Sequence, residues 1–374
     1  MNICVVTHKV LEGDGQGKVN YEVVKESISC GYQITLIASQ IDKELEQNEL
    51  VTWVHIPVKG LPTEIVKNIV FSHKASQWLK QHHQEFDIIK VNGSITNFSS
   101  DVNAVHFVHS SWLKSPVHTW QQNKNIYGFY QLLYTAINAY WEKQAFSKSK
   151  AIVAVSENVK QELIAIGVPP DKIKVIVNGV DLKKFQPGRF SRQDLGLPDN
   201  VLLAFFVGDI RTPRKNLDTV LKALANVPDL HLAIAGSTED SPYLELAANL
   251  NISDRTHFLG YRIDISELMR AMDMFVFPSR YEPFGMVISE AMATELPVVT
   301  TRSTGVSDIV TPESGIVLAD TEDVEELEKA LKKLVSNCDL RKQMGLAGRN
   351  IVEHHSWITK AKNYIQLFED LIAS

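Results

Sequence analysis

Asp273-Met274-Phe275-Val276-Phe277-Pro278-Ser279-Arg280-Tyr281-Glu282-Pro283-Phe284-Gly285-Met286-Val287-Ile288-Ser289-Glu290 is the stretch from which the fold is read. Its apolar run through Phe277 predicts a buried strand, and Pro278 ends it, because proline has no N–H to give to a ladder. A Pro-Phe-Gly turn follows, then an apolar helical pattern, so the order is strand, loop, helix. A helix beginning near Gly285 opens its first amides onto the space that Glu282 occupies, with Glu290 a turn or more inside the helix. Amides at a helix start bind phosphate. An ionised carboxylate only accepts hydrogen bonds, which suits sugar hydroxyls. The local chemistry fits a sugar joined to a diphosphate.

Outward from this block, short apolar runs alternate with helical patterns. Strands are expected at Ile3–Thr7, Gln33–Ala38, Ile88–Val91 and Ala151–Val155, and again at Leu202–Val207, Leu230–Ala235, Met274–Phe277 and Pro297–Thr301. Helical patterns such as Val19–Ser29, Glu64–His82 and Leu217–Asn226 lie between them. Such alternation predicts an α/β fold with parallel sheets covered on both faces, here two sheets in series. Pro187, Gly188, Gly196 and Pro198 mark 186–200 as the connection between the halves. At 374 residues the chain is long for one core and comfortable for two.

A net charge of −6 leaves no global basic footprint for nucleic acid. The three cysteines, Cys4, Cys30 and Cys338, lie far apart, form no metal spacing, and suggest a reducing compartment. The N-terminus reads as a strand rather than a signal peptide, and no apolar run has the length of a membrane span. A cytoplasmic protein is expected. There is no Asp-x-Asp, which weighs against a metal-dependent sugar transferase.

Three further segments carry chemistry. Gly13-Asp14-Gly15-Gln16-Gly17-Lys18 follows the first strand and precedes a helix, as a phosphate-approaching loop would, although a merely tight turn reads the same way. It has neither the ending of a P-loop nor the full dinucleotide fingerprint. Gly208-Asp209-Ile210-Arg211-Thr212-Pro213-Arg214-Lys215 sets three cations at a strand end, where open α/β sheets bind ligands. Val105-His106-Phe107-Val108-His109 reads as a strand end whose alternation puts Val105, Phe107 and His109 on one face.

The block from Pro278 to Glu290 resembles the family 4 retaining glycosyltransferases, whose mark is two Glu separated by seven residues in a stretch like Pro-Ser-x-x-Glu-x-Phe-Gly. The likeness continues through Glu290-Ala291-Met292-Ala293 and Leu296-Pro297-Val298-Val299, and through Asn178-Gly179-Val180-Asp181 with Phe185. It implies a glycosyltransferase-B fold: two Rossmann-like parallel-sheet domains facing each other across a cleft. The expected domains are 1–187 plus 355–374, binding acceptor, and 188–354, binding donor. The tail helix, His355 to Ile372, would cross back to the first domain, with Trp357 as a packing anchor.

By the same resemblance, Glu282 holds sugar hydroxyls and Glu290 the donor ribose. Lys215 clamps the diphosphate with Arg211, which is asked to replace an arginine of the family that is Asp209 here. Asp209 itself is open to pairing with Arg211 or Arg214, or to facing the acceptor. Gly15, Gly17, Phe284, Gly285, Met286 and Val287 complete the donor site about the diphosphate and sugar, with Phe258–Arg262 where the family holds the base and Gly236 at another strand end facing the same cleft. His109, preferred to His106, faces the donor sugar, and Ser156 caps the next helix. Glu295 stands where the family usually has Gly, and Thr304–Asp308 where it usually reads Gly-Gly-x-x-Glu.

The implied reaction is retaining, metal-independent hexosyl transfer from a nucleotide diphosphate sugar, UDP-sugar first and GDP-mannose second, to a hydroxyl of a saccharide, glycolipid or small molecule. No cofactor beyond the donor is expected. A non-catalytic sugar-nucleotide binder and a sugar-nucleotide epimerase of the same fold are the alternatives. Residues 112–150 hold nine aromatics and five lysines against one acid, Glu142. They read as an acceptor platform, or as a face for weak contact with the inner side of an anionic membrane. For Tyr130–Phe146 the plainer expectation is a core helix with surface lysines.

Overall fold

The structure is a computed structural model and describes residues 1–373. The chain divides into two compact units, one of residues 1–179 with the C-terminal helix Trp357–Ala373, the other Val180–Ser356.

The first unit is built on β1 (Asn2–Val6), β3 (Gln33–Ala38), β5 (Val51–His55), β6 (Ile88–Asn92), β7 (Ser100–Val105), β8 (Ser149–Ala154) and β9 (Ile173–Val175), with a small pair β2 (Lys9–Val10) and β4 (Gln40–Ile41) beside the sheet. The order is β5-β3-β1-β6-β7-β8-β9 and every pairing is parallel, with Ile3 opposite both Ile34 and Ile88. Parallel strands need helical crossovers, which cover both faces, and so β1 and β6 are buried nearly throughout. On one face Cys4, Val6, Ile37 and Val91 pack with Phe71, Ala75 and Leu79 of the helix Glu64–His82. Each Val, Leu, Ile or Phe side chain withdrawn from water here contributes about 1.5–3 kcal/mol. The helix Gly15–Ser29 packs against Trp357–Ala373.

The second unit repeats the plan with β10 (Leu202–Val207), β11 (Leu230–Ala235), β12 (Thr256–Phe258), β13 (Met274–Phe277), β14 (Val298–Thr301) and β15 (Gly315–Leu318), in the order β12-β11-β10-β13-β14-β15, again all parallel. Phe205 and Phe206 of β10 meet Phe275 and Phe277 of β13 at 6.0 and 5.6 Å between ring centroids, a buried aromatic floor at the centre of the sheet. In both sheets the order reverses beside the first strand, between β1 and β6 and between β10 and β13. The connections there leave on opposite faces and open a crevice beyond the strands' C-terminal ends.

The division between the units falls at 179/180 and 356/357, not at the expected 187/188 and 354/355. Residues 180–187 belong to the second unit because their bonds are made there: the Val180 amide donates to the His355 carbonyl at 3.0 Å, and the carbonyl of buried Phe185 accepts from Arg349. Val180 and Ser356 form an isolated parallel bridge. A Cβ on Gly179 would stand 2.5 Å from the Trp357 Cα, so glycine is required by this close approach. Trp357 is itself buried, as the packing role anticipates.

Helices at Gly15–Ser29 and Ile126–Ser147 are each begun by a side chain, Asp14 and Asn125, that accepts from an amide of the first turn. Ser156 caps Glu157–Ala165 in the same way. Among the described residues no helix is long and apolar enough to cross a membrane.

Candidate functional site

In the second unit, Lys215 ends a single turn, Pro213–Lys215, beyond β10, and Glu282 sits in the loop beyond β13. These are the adjacent strands at which the sheet order reverses. The two side chains form a direct ion pair, Lys215 Nζ donating to Glu282 Oε2, with only 12% and 16% of their side chains exposed. The ammonium also lies over the Phe277 ring, 5.0 Å from its centroid. Burial pulls the Lys215 pKa below its ordinary value, while the Glu282 carboxylate works against that shift.

Two residues that sequence reasoning missed hold this pair in place. Arg280 gives Asp218 a two-pronged bond at 2.8 and 2.8 Å, reaches the Pro213 carbonyl at 2.7 Å, and engages Glu322 at 2.5 and 2.8 Å. Burial works against its charge, but Glu322 and Asp218 more than offset this and raise its pKa. Asn216, fully buried at φ 66°, donates to the carbonyls of Pro278 and Thr321. Asparagine tolerates this left-handed backbone better than most residues. The partners lie 62 and 105 positions away from Asn216, and 42 and 62 from Arg280, so no local pattern announces them.

The helix Met286–Ala293 follows Glu282 directly, with Gly285 at φ 97° as its first flanking residue. Among the described residues no side chain caps it, and an uncapped first turn can receive a ligand. Phe284 is buried below, Met286, Val287 and Glu290 are half-buried, and the loop is fixed by bonds from Gly305 to the Glu282 carbonyl and from Val306 to that of Phe284, at 2.9 and 2.7 Å. The strand, loop and helix expected here are all present.

Beside this pair, a cavity of ≈ 270 Å³ opens beyond β10 and β11, lined by Gly208, Asp209, Arg211, Gly236, Tyr261 and Arg262 among others. Three of the residues expected at the donor, Arg211, Gly236 and Arg262, are thus near one another. A Cβ on Gly236 would collide with the Gly208 carbonyl oxygen, so only glycine lets these strand ends approach. Asp209 pairs with Arg211, accepting from its Nε at 2.9 Å and its amide at 3.1 Å. Burial works to raise the Asp209 pKa, but Arg211 outweighs it and holds the carboxyl below the usual range. Arg262 is likewise bound by Asp264, Nε to Oδ1 at 2.8 Å.

In the first unit a cavity of ≈ 330 Å³ occupies the corresponding switch point, beyond β1, β6 and β7. Gly17 lines it; Gly15, the first residue of its helix, does not. The amide of Gly17 is already used, donating to Asp14 Oδ1 at 2.8 Å, and a Cβ there would stand 2.9 Å from that of Asp14. The capping carboxylate occupies ground that a phosphate at this helix start would need.

His109 and His106 both line the cavity. The strand expected to carry His109 stops at Val105, and His109 instead opens a short helical turn, His109–Trp112. Strand alternation therefore does not orient it. A residue the motif reading passed over does: Glu142 accepts from the His109 amide at 2.9 Å and lies 2.5 Å from its Nδ1. Burial, then the nearby Lys90 charge, lowers His106 to about 3, leaving its ring neutral.

The helix Ile126–Ser147 is buried along one stripe, including Thr135, Ala139, Glu142 and Phe146. Ile126, Tyr127, Phe129, Leu133 and Tyr140 are exposed. The core reading for Tyr130–Phe146 describes one face of this helix only.

Comparison with known proteins identifies relatives of the chain. Residues 13–184 match the model of Glycosyltransferase Family 4, and 188–351 that of Glycosyl transferases group 1. An uncharacterized glycosyltransferase of Methanocaldococcus jannaschii is 27% identical over 76% of this chain and 75% of its own length. A D-inositol 3-phosphate glycosyltransferase of Stackebrandtia nassauensis is 30% identical over 62% of this chain and only 56% of its own length. Among solved structures, a sucrose-phosphate synthase of Thermosynechococcus elongatus has a TM-score of 0.79 at 19% identity, covering 100% of this chain and 99% of that one. An Anabaena protein solved with UDP-glucose has a TM-score of 0.69 at 20% identity, with 100% of both chains covered.

Proposed function

The chain belongs to the family 4 glycosyltransferases with the GT-B fold, and from that premise we propose that it moves a hexose from a nucleotide diphosphate sugar to a hydroxyl of a saccharide, glycolipid or small-molecule acceptor. The observation that carries this reading is the ion pair of Lys215 and Glu282 beside an uncapped helix start at the switch point of the second sheet. A cation and free amides suit a diphosphate, and a carboxylate beside them suits sugar hydroxyls.

In the proposed reaction the bond from C1 of the sugar to the β-phosphate oxygen breaks, its electron pair staying on the phosphate. The acceptor oxygen then bonds C1 from the same face and passes its proton to the leaving phosphate, so configuration is retained. Lys215, helped by Arg211, and the amides from Gly285 to Val287 stabilise the charge that grows on the diphosphate. These fixed positive groups take the part that a metal ion plays elsewhere, and metal independence is proposed on that ground. Glu282 orients the sugar hydroxyls, and Glu290 the ribose. Gly236 and Arg262 border the base, and in the first unit His109 faces a cavity that suits a sugar.

The UDP-glucose held by the Anabaena neighbour favours a UDP-sugar, with GDP-mannose second. The exposed Ile126, Tyr127, Phe129 and Tyr140, with Lys124 and Lys143 on or beside their helix, support weak contact with an anionic membrane at its cytoplasmic side. A second reading, a non-catalytic binder, is favoured by one observation: Arg211 is engaged by Asp209 and is not wholly given to a phosphate.

A thermal-shift screen with UDP-, GDP- and ADP-sugars, without metal, tests the site. Ligand at a hundred times its dissociation constant adds about 2.7 kcal/mol of apparent stability. We expect one nucleotide sugar to shift the melting temperature of the wild type and not of Lys215→Ala, with transfer to added acceptor following. No shift with any donor would sink the proposal. Binding without transfer or donor hydrolysis would leave the non-catalytic binder.

A further inference from the structure

We infer that Glu142 is a positioning residue that fixes the tautomer of His109, so that Nε2 meets the cavity of the first unit as a hydrogen-bond acceptor for a sugar hydroxyl. The inference rests on the glycosyltransferase reading for the identity of the ligand, and on geometry alone for the tautomer.

Glu142 belongs to the buried stripe of the helix Ile126–Ser147, and only 2% of its side chain is exposed. Its two oxygens are used separately. Oε2 accepts from the backbone N–H of His109 at 2.9 Å, and Oε1 lies 2.5 Å from Nδ1. A backbone N–H can only donate, and an ionised carboxylate can only accept. Nδ1 therefore carries a proton and gives it to Oε1. In the neutral ring the other nitrogen, Nε2, is then bare. No protein group is bonded to Nε2 among the described residues, and His109 lines the ≈ 330 Å³ cavity. An acceptor on that wall matches a hydroxyl donor and repels a bare phosphate or carbonyl oxygen. The ring is held in its place by Phe107 and Tyr134, at 5.0 and 6.0 Å between centroids, so the carboxylate sets its protonation while the aromatics set its plane.

Glu142→Gln makes the role testable because the amide cannot satisfy both bonds in the same sense. Its single oxygen must face the His109 amide, which only donates. Its NH2 then faces Nδ1, which must lose its proton and become the acceptor. The ring is driven to the other tautomer, and Nε2 becomes a donor. The substitution removes no atom, whereas Glu142→Asp keeps the carboxylate and with it the original tautomer.

The experiment is 15N NMR of the full chain labelled at histidine, with the His109 signals identified by their loss in His109→Ala. It is paired with calorimetric affinities for UDP and for the nucleotide sugar that the donor screen selects. We expect a protonated Nδ1 and bare Nε2 in the wild type and in Glu142→Asp, and the reverse in Glu142→Gln. We also expect Glu142→Gln to bind the nucleotide sugar about tenfold or more weakly, on the scale of one charge-assisted or buried hydrogen bond, with UDP affinity unchanged. A merely structural role would weaken both ligands or neither. A protonated Nε2 in the wild type overturns the inference even if Glu142→Gln does not fold. So does an inverted tautomer that leaves sugar-nucleotide binding as it was. A wild type that binds no nucleotide sugar refutes the glycosyltransferase reading instead, and the NMR result still decides the tautomer.

Discussion

Arg280 and Asp218 face each other fork to fork, Nη1 to Oδ1 and Nη2 to Oδ2, both at 2.8 Å. Asp218 lies in the first turn of the helix Leu217–Ala225, three residues after Lys215, and Arg280 lies two residues before Glu282. The fork thus joins the turn bearing the cation to the loop bearing the carboxylate. With only 11% and 20% of these side chains exposed, the pair is well shielded from water.

Arg280→Lys is therefore expected to be costly despite its retained charge, because an ammonium cannot reproduce the planar fork or the bond to the Pro213 carbonyl. A loss of about 2–3 kcal/mol is the scale for charge-assisted bonds left unmade. Chemical denaturation measures it, and transfer should fall with it, since Lys215 and Glu282 would no longer be held in register. Wild-type stability in Arg280→Lys would refute this account of the loop.

Lys90 gives a pH dependence. It lies within β6 with no exposure, donating to Asn20 Oδ1 at 2.6 Å and Asn92 Oδ1 at 3.3 Å, beneath the Tyr364 ring of the C-terminal helix. Burial lowers its pKa from 10.5 to about 7. Between these values the unfolded chain holds a proton that the folded chain has lost, so stability rises with pH from about 7 towards 10.5, by up to about 1.4 kcal/mol per pH unit. Below about 7 this group contributes no slope. Denaturation at pH 7, 8 and 9 should show the rise in the wild type relative to Lys90→Met; equal slopes in the two proteins would be the contrary result.

Gly236→Ala tests the floor of the cavity proposed to take the nucleotide. The new methyl would meet the Gly208 carbonyl oxygen and press on Ile210, at 3.1 Å from its Cγ1. Because the backbone at Gly236 is not left-handed, any cost comes from this encounter alone. Overpacking of this kind typically costs about 1–3 kcal/mol. We expect a lower melting temperature and a weakened nucleotide shift in the donor screen. An unchanged nucleotide affinity would show that the strand ends beside Gly208 do not form the binding surface.

The central strands were legible in the sequence because they are buried on both faces and therefore read as unbroken apolar runs: Leu202–Val207, Leu230–Ala235 and Met274–Phe277 match residue for residue. The edge strand Val51–His55, only partly buried, carries no such run and was not anticipated. The ion pair of Lys215 with Glu282 was not anticipated, although each residue was singled out by motif beside a turn or breaker at a strand end. Glu142 and Arg280 were not, because their partners lie 33 to 62 positions away and depend on how helices are laid over the sheet. The strand alternation used to orient His109 does not apply, because Phe107 and His109 lie beyond the end of β7.

The bridge between Val180 and Ser356, set next to the close approach of Gly179 and Trp357, brings the two ends of residues 180–356 side by side. A segment whose ends already touch can be inserted into, or lifted out of, another chain without stretching either. In evolutionary terms the second unit has the form of a cassette, entered and left through one paired junction. The glycine at position 179 is the residue such a junction must keep.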